Sequence, residues 1–241
     1  MDMITLVGAG VVLFFGSLLQ RVTGMGLALV ASPFLVLILG TVTGVQTVQV
    51  VGLAVCLASA ITLWSDVNIR LTVLLLAASC IGLVPGTLVA KSLPASWLGI
   101  LIGSVTLAAL ACTALLRRSS LFAGARGTAI AGALSGFMNV TAGVGGPPIV
   151  IYANSTDWDY REYLATVQLY FAGLNALSLL ARGVPDLPAG GWAVAAVSSV
   201  AGIVIGNRLS TTINETIAKK AVFAIACIGS LATVIRSVAT L

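Results

Sequence analysis

The chain has 241 residues, 59% of them hydrophobic and 8% charged, where a water-soluble domain carries roughly 25% charged residues. Its 12 Lys and Arg against 7 Asp and Glu give a net charge of +5 that comes from loop residues, which leaves nucleic-acid binding without support. Histidine is absent, and Cys56, Cys80, Cys112 and Cys227 all fall in apolar runs, so neither a metal cluster nor a disulfide framework is expected. What remains is an all-α polytopic membrane protein, because helices satisfy their own backbone in lipid and the period-2 alternation of a barrel is missing.

In chain order the apolar blocks run over 4–39, 45–64, 70–90, 97–116, 127–153, 162–182, 191–207 and 217–238. Met1-Asp2-Met3 puts no basic residue before the first block, which argues against a cleavable signal peptide. The first block would make a helix about 54 Å long at 1.5 Å per residue, and it is interrupted by Gly and Thr near its middle. The block at 127–153 is interrupted by Asn, Thr and Gly and is too short for two crossings. Each is therefore expected to be a broken re-entrant hairpin, since irregular backbone is tolerated at membrane depth only where protein or a wet cavity surrounds it.

The basic stretch from Arg117 to Arg126 lies near the midpoint and divides the chain into a first repeat over 1–116, a linker over 117–126 and a second repeat over 127–241. Sliding the halves by 119 residues sets Thr47-Val48-Gln49 on Thr166-Val167-Gln168 and Gly24-Met25-Gly26 on Gly143-Val144-Gly145. A shift of 120 sets Gly82 and Gly86 on Gly202 and Gly206, and Asp66 on Asp186. With hairpins that return to their starting side, Arg70, Arg117, Arg118, Arg126, Arg161, Arg208, Lys219 and Lys220 share one face, and Lys91, Arg182 and Arg236 the other. The positive-inside rule makes the first face cytoplasmic. Three crossings per half then predict two inverted repeats, each a broken hairpin plus three transmembrane helices, the plan of many secondary transporters.

The candidate site lies at the two breaks. Gln20-Arg21-Val22-Thr23-Gly24-Met25-Gly26 leads to Ser32-Pro33, and Asn139-Val140-Thr141-Ala142-Gly143-Val144-Gly145-Gly146 leads to Pro147-Pro148. A helix that starts at such a break presents unpaired N–H groups at its positive end, which favours an anion. Glycine admits close approach of backbone to ligand, and proline in the first turn has no N–H to leave unpaired. Arg21 is the only charge in these motifs, and a guanidinium at membrane depth costs about 2.5–3.5 kcal/mol, so it is expected to serve a ligand or partner. Gln20, Thr23, Asn139 and Thr141 add polar groups, Gly24, Gly26, Gly143, Gly145 and Gly146 add open backbone, and Gln49 and Gln168 are uncharged donors matched between the halves. Packing between helices is the competing role for the two glutamines, and close helix contact is the preferred one for Gly82, Gly86, Gly202 and Gly206.

The acidic residues fall in loops or at block ends, which argues against a carboxylate proton relay, against metal-cation transport and, with histidine absent, against a membrane-embedded hydrolase. No catalytic residue, metal ligand or cofactor is expected. The two glycine-rich motifs, Thr23-Gly24-Met25-Gly26 with Ser32-Pro33 and Ala142-Gly143-Val144-Gly145-Gly146-Pro147-Pro148, resemble those of the sulfite exporter TauE/SafE family over essentially the whole chain. The resemblance implies a small-anion permease in a membrane, for a bacterial protein the inner membrane, carrying sulfite, sulfoacetate or related organosulfonates. A passive anion channel and a non-transporting membrane scaffold are the alternatives, and glycine-spaced helix faces leave homo-oligomerisation open.

Overall fold

A computed structural model describes residues 1–23, 26–116, 118–209 and 215–241, with the side chains of residues 21–23, 215, 216 and 219 left aside. Among the described residues the chain is ten α-helices and no strand: α1 (Met3–Thr23), α2 (Gly26–Leu39), α3 (Thr41–Thr62), α4 (Ile69–Ser92), α5 (Ala95–Leu115), α6 (Gly124–Ala142), α7 (Gly146–Ser155), α8 (Tyr160–Arg182), α9 (Ala189–Leu209) and α10 (Glu215–Val238). Seven of them (α1, α3, α4, α5, α8, α9 and α10) are long and apolar enough to cross a membrane. Their outer faces carry large apolar side chains, on α4 for example Val73, Leu74, Ile81, Val84 and Leu88. A surface of this kind belongs against lipid rather than water.

Local signals set the helix ends. Asn68 accepts the Leu71 N–H at 2.9 Å to start α4, and Asp159 accepts the N–H groups of Arg161 and Glu162, each at 3.0 Å, to start α8. Such caps satisfy donors that a helix cannot pair itself. Gly183, with φ of +86°, ends α8, and Gly143, with φ of +72°, ends α6; both conformations suit a residue without Cβ.

The two broken blocks fold back on themselves. In the first, a Cβ on Gly8 would meet Ile38, one on Gly16 would meet Leu27 and Ala31, and one on Gly26 would stand 2.6 Å from the Leu19 backbone; contacts in that order make α1 and α2 antiparallel. In the second, Ser135 bonds the Gly145 carbonyl at 2.6 Å, and further from the bend the Thr128 hydroxyl donates to Tyr152 Oη at 3.1 Å. The arms are unequal, 21 and 14 residues in the first hairpin, 19 and 10 in the second. At 1.5 Å per residue the first arms are about 32 and 29 Å long and the second arms about 21 and 15 Å, so the second arms are shorter than a bilayer core.

The halves pack by exchange. α1 lies along α9, and α6 lies along α4. A Cβ on Gly82 would stand 1.8 Å from the Ala133 carbonyl oxygen, and one on Gly202 would stand 2.4 Å from that of Phe14; Phe14 and Ala133 are themselves 119 residues apart in sequence. Gly86 likewise faces Phe137 and Val140. These glycines are close helix contacts. α3 and α8 cross next to one another, as do α5 and α10.

Candidate functional site

A cavity of about 30 Å³ lies where the two hairpins approach α3 and α8. Gln20 and Leu27 to Leu29 line it from the first hairpin, Asn139, Gly143, Gly145 and Gly146 from the second, Val48, Gly52 and Cys56 from α3, and Phe171 and Asn175 from α8. Drug-sized ligands occupy pockets of roughly 300–1,000 Å³, so the space suits a small species. None of these lining residues is charged.

Two helices begin at the cavity. At the start of α2 the Leu27 N–H is already taken, donating to Gln20 Oε1 at 3.1 Å across the bend. At the start of α7, Gly145 and Gly146 face the cavity, Pro147 and Pro148 follow, and no acceptor among the described residues meets the N–H of Gly145 or Gly146. Among the described residues, the second bend leaves these N–H groups open to an incoming acceptor. Asn139 stands beside it, buried, with Nδ2 donating to Asn175 Oδ1 at 3.1 Å and Ser178 Oγ at 3.0 Å.

The structure thus brings Gln20, Asn139, Gly143, Gly145 and Gly146 together around one space. Gly26 is not among its lining; it lets α2 approach the end of α1. Thr141 is buried, and its hydroxyl donates to the Phe137 carbonyl of its own helix at 2.7 Å. Gln49 is fully buried, and its Nε2 donates to the Asn139 carbonyl at 2.8 Å; that assignment is fixed because a carbonyl only accepts. The Oε1 atoms of Gln49 and Gln168 are both buried without a partner among the described residues. Gly24 and the side chains of Arg21 and Thr23 lie outside the described residues.

Three further residues meet this site: Asn175, which the sequence offers as a weaker candidate on the face of Gln168, and Ser32 and Arg182, which it does not single out as ligands. Asn175, one helical turn beyond Phe171, lines the cavity and bonds Asn139. Ser32 of the Ser32-Pro33 pair is fully buried and donates to the Ala142 carbonyl of the other half. Arg182, counted from sequence as a loop charge, turns inward from the last turn of α8, and its Nη1 donates to the Val140 carbonyl at 2.7 Å. A cation immediately before Gly-Val-Pro reads as a helix end, and nothing local to it in sequence points towards a carbonyl some forty residues upstream.

A cavity that two helix starts share, lined by uncharged polar groups and no acid, has the chemistry to favour an anion. No curated protein and no solved structure matches the chain. A family model, sulfite exporter TauE/SafE, matches residues 9–233 of the 241. With these bends at its centre and the match running over nearly its whole length, the chain belongs to the sulfite exporter TauE/SafE family.

Proposed function

We propose that this integral membrane protein is a secondary carrier of small sulfur oxyanions, moving sulfite, sulfoacetate or a related organosulfonate by alternating access between two inverted repeats. The family implies membrane transport of sulfite or similar anions; the substrate range, the mechanism and the site are our reading. One observation carries it: the starts of α2 and α7, from different halves of the chain, line the same cavity. Sulfite and sulfonate oxygens are acceptors only, and the open N–H groups of Gly145 and Gly146 supply donors at the positive end of α7. Asn175 can add an amide donor without charge, Asn139 holds it in place because both Asn139 Nδ2 hydrogens go to Asn175 Oδ1 and Ser178 Oγ, and Arg21, Thr23, Gln20 and Gln168 complete the proposed donor set. Trading water for donors held in advance keeps the cost of ordering low.

The exchange of α1 and α6 between halves supports the inverted-repeat reading, because equivalent contacts recur at equivalent positions. The unequal hairpins that open each half are discontinuous helices of the sort that bind substrate in such carriers. Ligand-dependent melting of purified protein in detergent tests the site. Sulfite should raise the melting temperature in a saturable way, as any ligand of the folded state does, and Asn139→Leu should abolish that rise. A rise unaltered in Asn139→Leu would move the anion elsewhere.

A further inference from the structure

The break after α6 has two electrical ends. α7 starts there with its positive end, but α6 stops there with its negative one, and the last four carbonyls of any helix have no partner within it. In α6 these belong to Asn139, Val140, Thr141 and Ala142. Left bare beside a cavity, they would repel an anion and offer a coordination shell to a cation, as unwound carbonyls do in sodium-coupled carriers.

All four carbonyls meet donors. Asn139 O accepts from the Gly143 N–H at 2.9 Å and from Gln49 Nε2 at 2.8 Å. Val140 O accepts from Arg182 Nη1 at 2.7 Å, and the same nitrogen lies 3.5 Å from Thr141 O. Ala142 O accepts from the Ser32 hydroxyl. Beyond the bend, Gly145 O accepts from the Ser135 hydroxyl at 2.6 Å. The side-chain donors at the end of α6 come from three other elements: Ser32 from α2, Gln49 from α3 and Arg182 from α8. On the other side of the same bend the N–H groups of Gly145 and Gly146 meet no acceptor among the described residues. The four carbonyls that end α6 are covered, and the N–H groups of Gly145 and Gly146 that lead into α7 are left open.

We infer that Ser32, Gln49 and Arg182 are positioning residues that fix the sign of the charge this break accepts, by covering the carbonyl end of α6 so that only the N–H end of α7 faces the ligand. The inference rests on the anion-carrier reading above and adds the origin of its charge selectivity. It also assigns Gln49 a different part from that of a ligand: its amide acts through the Asn139 carbonyl. Arg182 acts in the same way, its positive charge lying against the negative end of the helix.

Buried carbonyls need partners in any fold, so the test must separate sign-setting from plain support. The protein is reconstituted in liposomes, and uptake of radiolabelled sulfite is measured against concentration in wild type, Gln49→Met, Ser32→Ala and Ser32→Thr. Gln49→Met keeps length and apolar volume while removing the donor. The expected result is a half-saturating concentration raised about tenfold in Gln49→Met and several-fold in Ser32→Ala, with maximal rates within a factor of about two of wild type. Ser32→Thr, which keeps the hydroxyl, should return half-saturation towards the wild-type value. Half-saturation unchanged in Gln49→Met and Ser32→Ala, with only the maximal rate or the yield of folded protein reduced, overturns the inference while leaving the carrier reading in place. Wild-type liposomes without saturable sulfite uptake overturn the carrier reading and this inference with it. Should Gln49→Met fail to reach the membrane, Ser32→Ala, which removes a single oxygen, decides on the same two numbers.

Discussion

At the scale of single residues, the glycines divide by what surrounds them. A Cβ at Gly82 would collide with the Ala133 carbonyl, whereas one at Gly190 would meet nothing within 4 Å. Gly82→Ala should therefore lower the melting temperature in detergent clearly, at a cost of about 1–3 kcal/mol for overpacking, and Gly190→Ala should leave it unchanged; equal melting of the two variants would contradict the packing described. Arg21 lies next to Gln20, which lines the cavity. Arg21→Gln is expected to weaken sulfite uptake with the protein still folded and inserted, and uptake kinetics identical to wild type would remove Arg21 from the proposed site. The glycine and asparagine lining of the cavity was legible in sequence as a candidate site because break chemistry is local: Asn139, Gly143, Gly145 and Gly146 are close neighbours on the chain. Arg182 and Ser32 were not legible as part of it, because their partners are carbonyls 42 and 110 residues away and any residue type has a carbonyl. Gln49 was legible as important through its match to Gln168, but the pattern could not say that its donor is spent on backbone.

At the scale of elements, α3 and α8 flank the cavity, and α8 is tied at one end to the α3–α4 connection and at the other to the start of α3. At one end Asn68 Nδ2 donates to Glu162 Oε1 at 2.7 Å, its N–H donates to Thr166 Oγ1 at 3.0 Å, and Arg161 pairs with Asp66 at 2.8 Å. At the other, Gln46 Nε2 donates to the carbonyls of Arg182 and Gly183 at 3.0 and 3.1 Å. The Arg161 side chain is 78% exposed, so its ion pair should add little, roughly 0–1 kcal/mol at most. The Asp159 cap, which serves two N–H groups, should matter more: Asp159→Ala is expected to cost about 1 kcal/mol, read as a lower melting temperature than that of Arg161→Gln. The reverse order would mean that the ion pair, not the cap, holds this corner. Helix identity and the two breaks were legible from hydropathy and glycine spacing, whereas the unequal lengths of the hairpin arms were not. Hydropathy scores α1 as a full span; the length of the first block and its central Gly and Thr predict that the chain turns back, and the antiparallel contacts of Gly8, Gly16 and Gly26 show where the arms meet.

At the scale of the whole molecule, two turned-back hairpins and the six other long helices among the described residues surround a central cavity without a charged lining. Sidedness belongs to this scale. With basic residues concentrated at Arg118, Arg126 and Arg161 on the face expected to be cytoplasmic, a single cysteine at Leu121 in a background without the four native cysteines should react with an impermeant maleimide only from the cytoplasmic side, and one at Asp186 only from the other. Labelling of both from one side would contradict the crossing count. The central claim is that the molecule carries an anion by exposing one site alternately to each side, and counterflow tests it most directly. Liposomes containing the protein are loaded with unlabelled sulfite and given a trace of labelled sulfite outside. The account predicts transient accumulation of label above its equilibrium level, faster than in liposomes without internal sulfite and saturable in external sulfite. Label that only equilibrates, at a rate linear in concentration and indifferent to the internal anion, would contradict it and point to a passive channel.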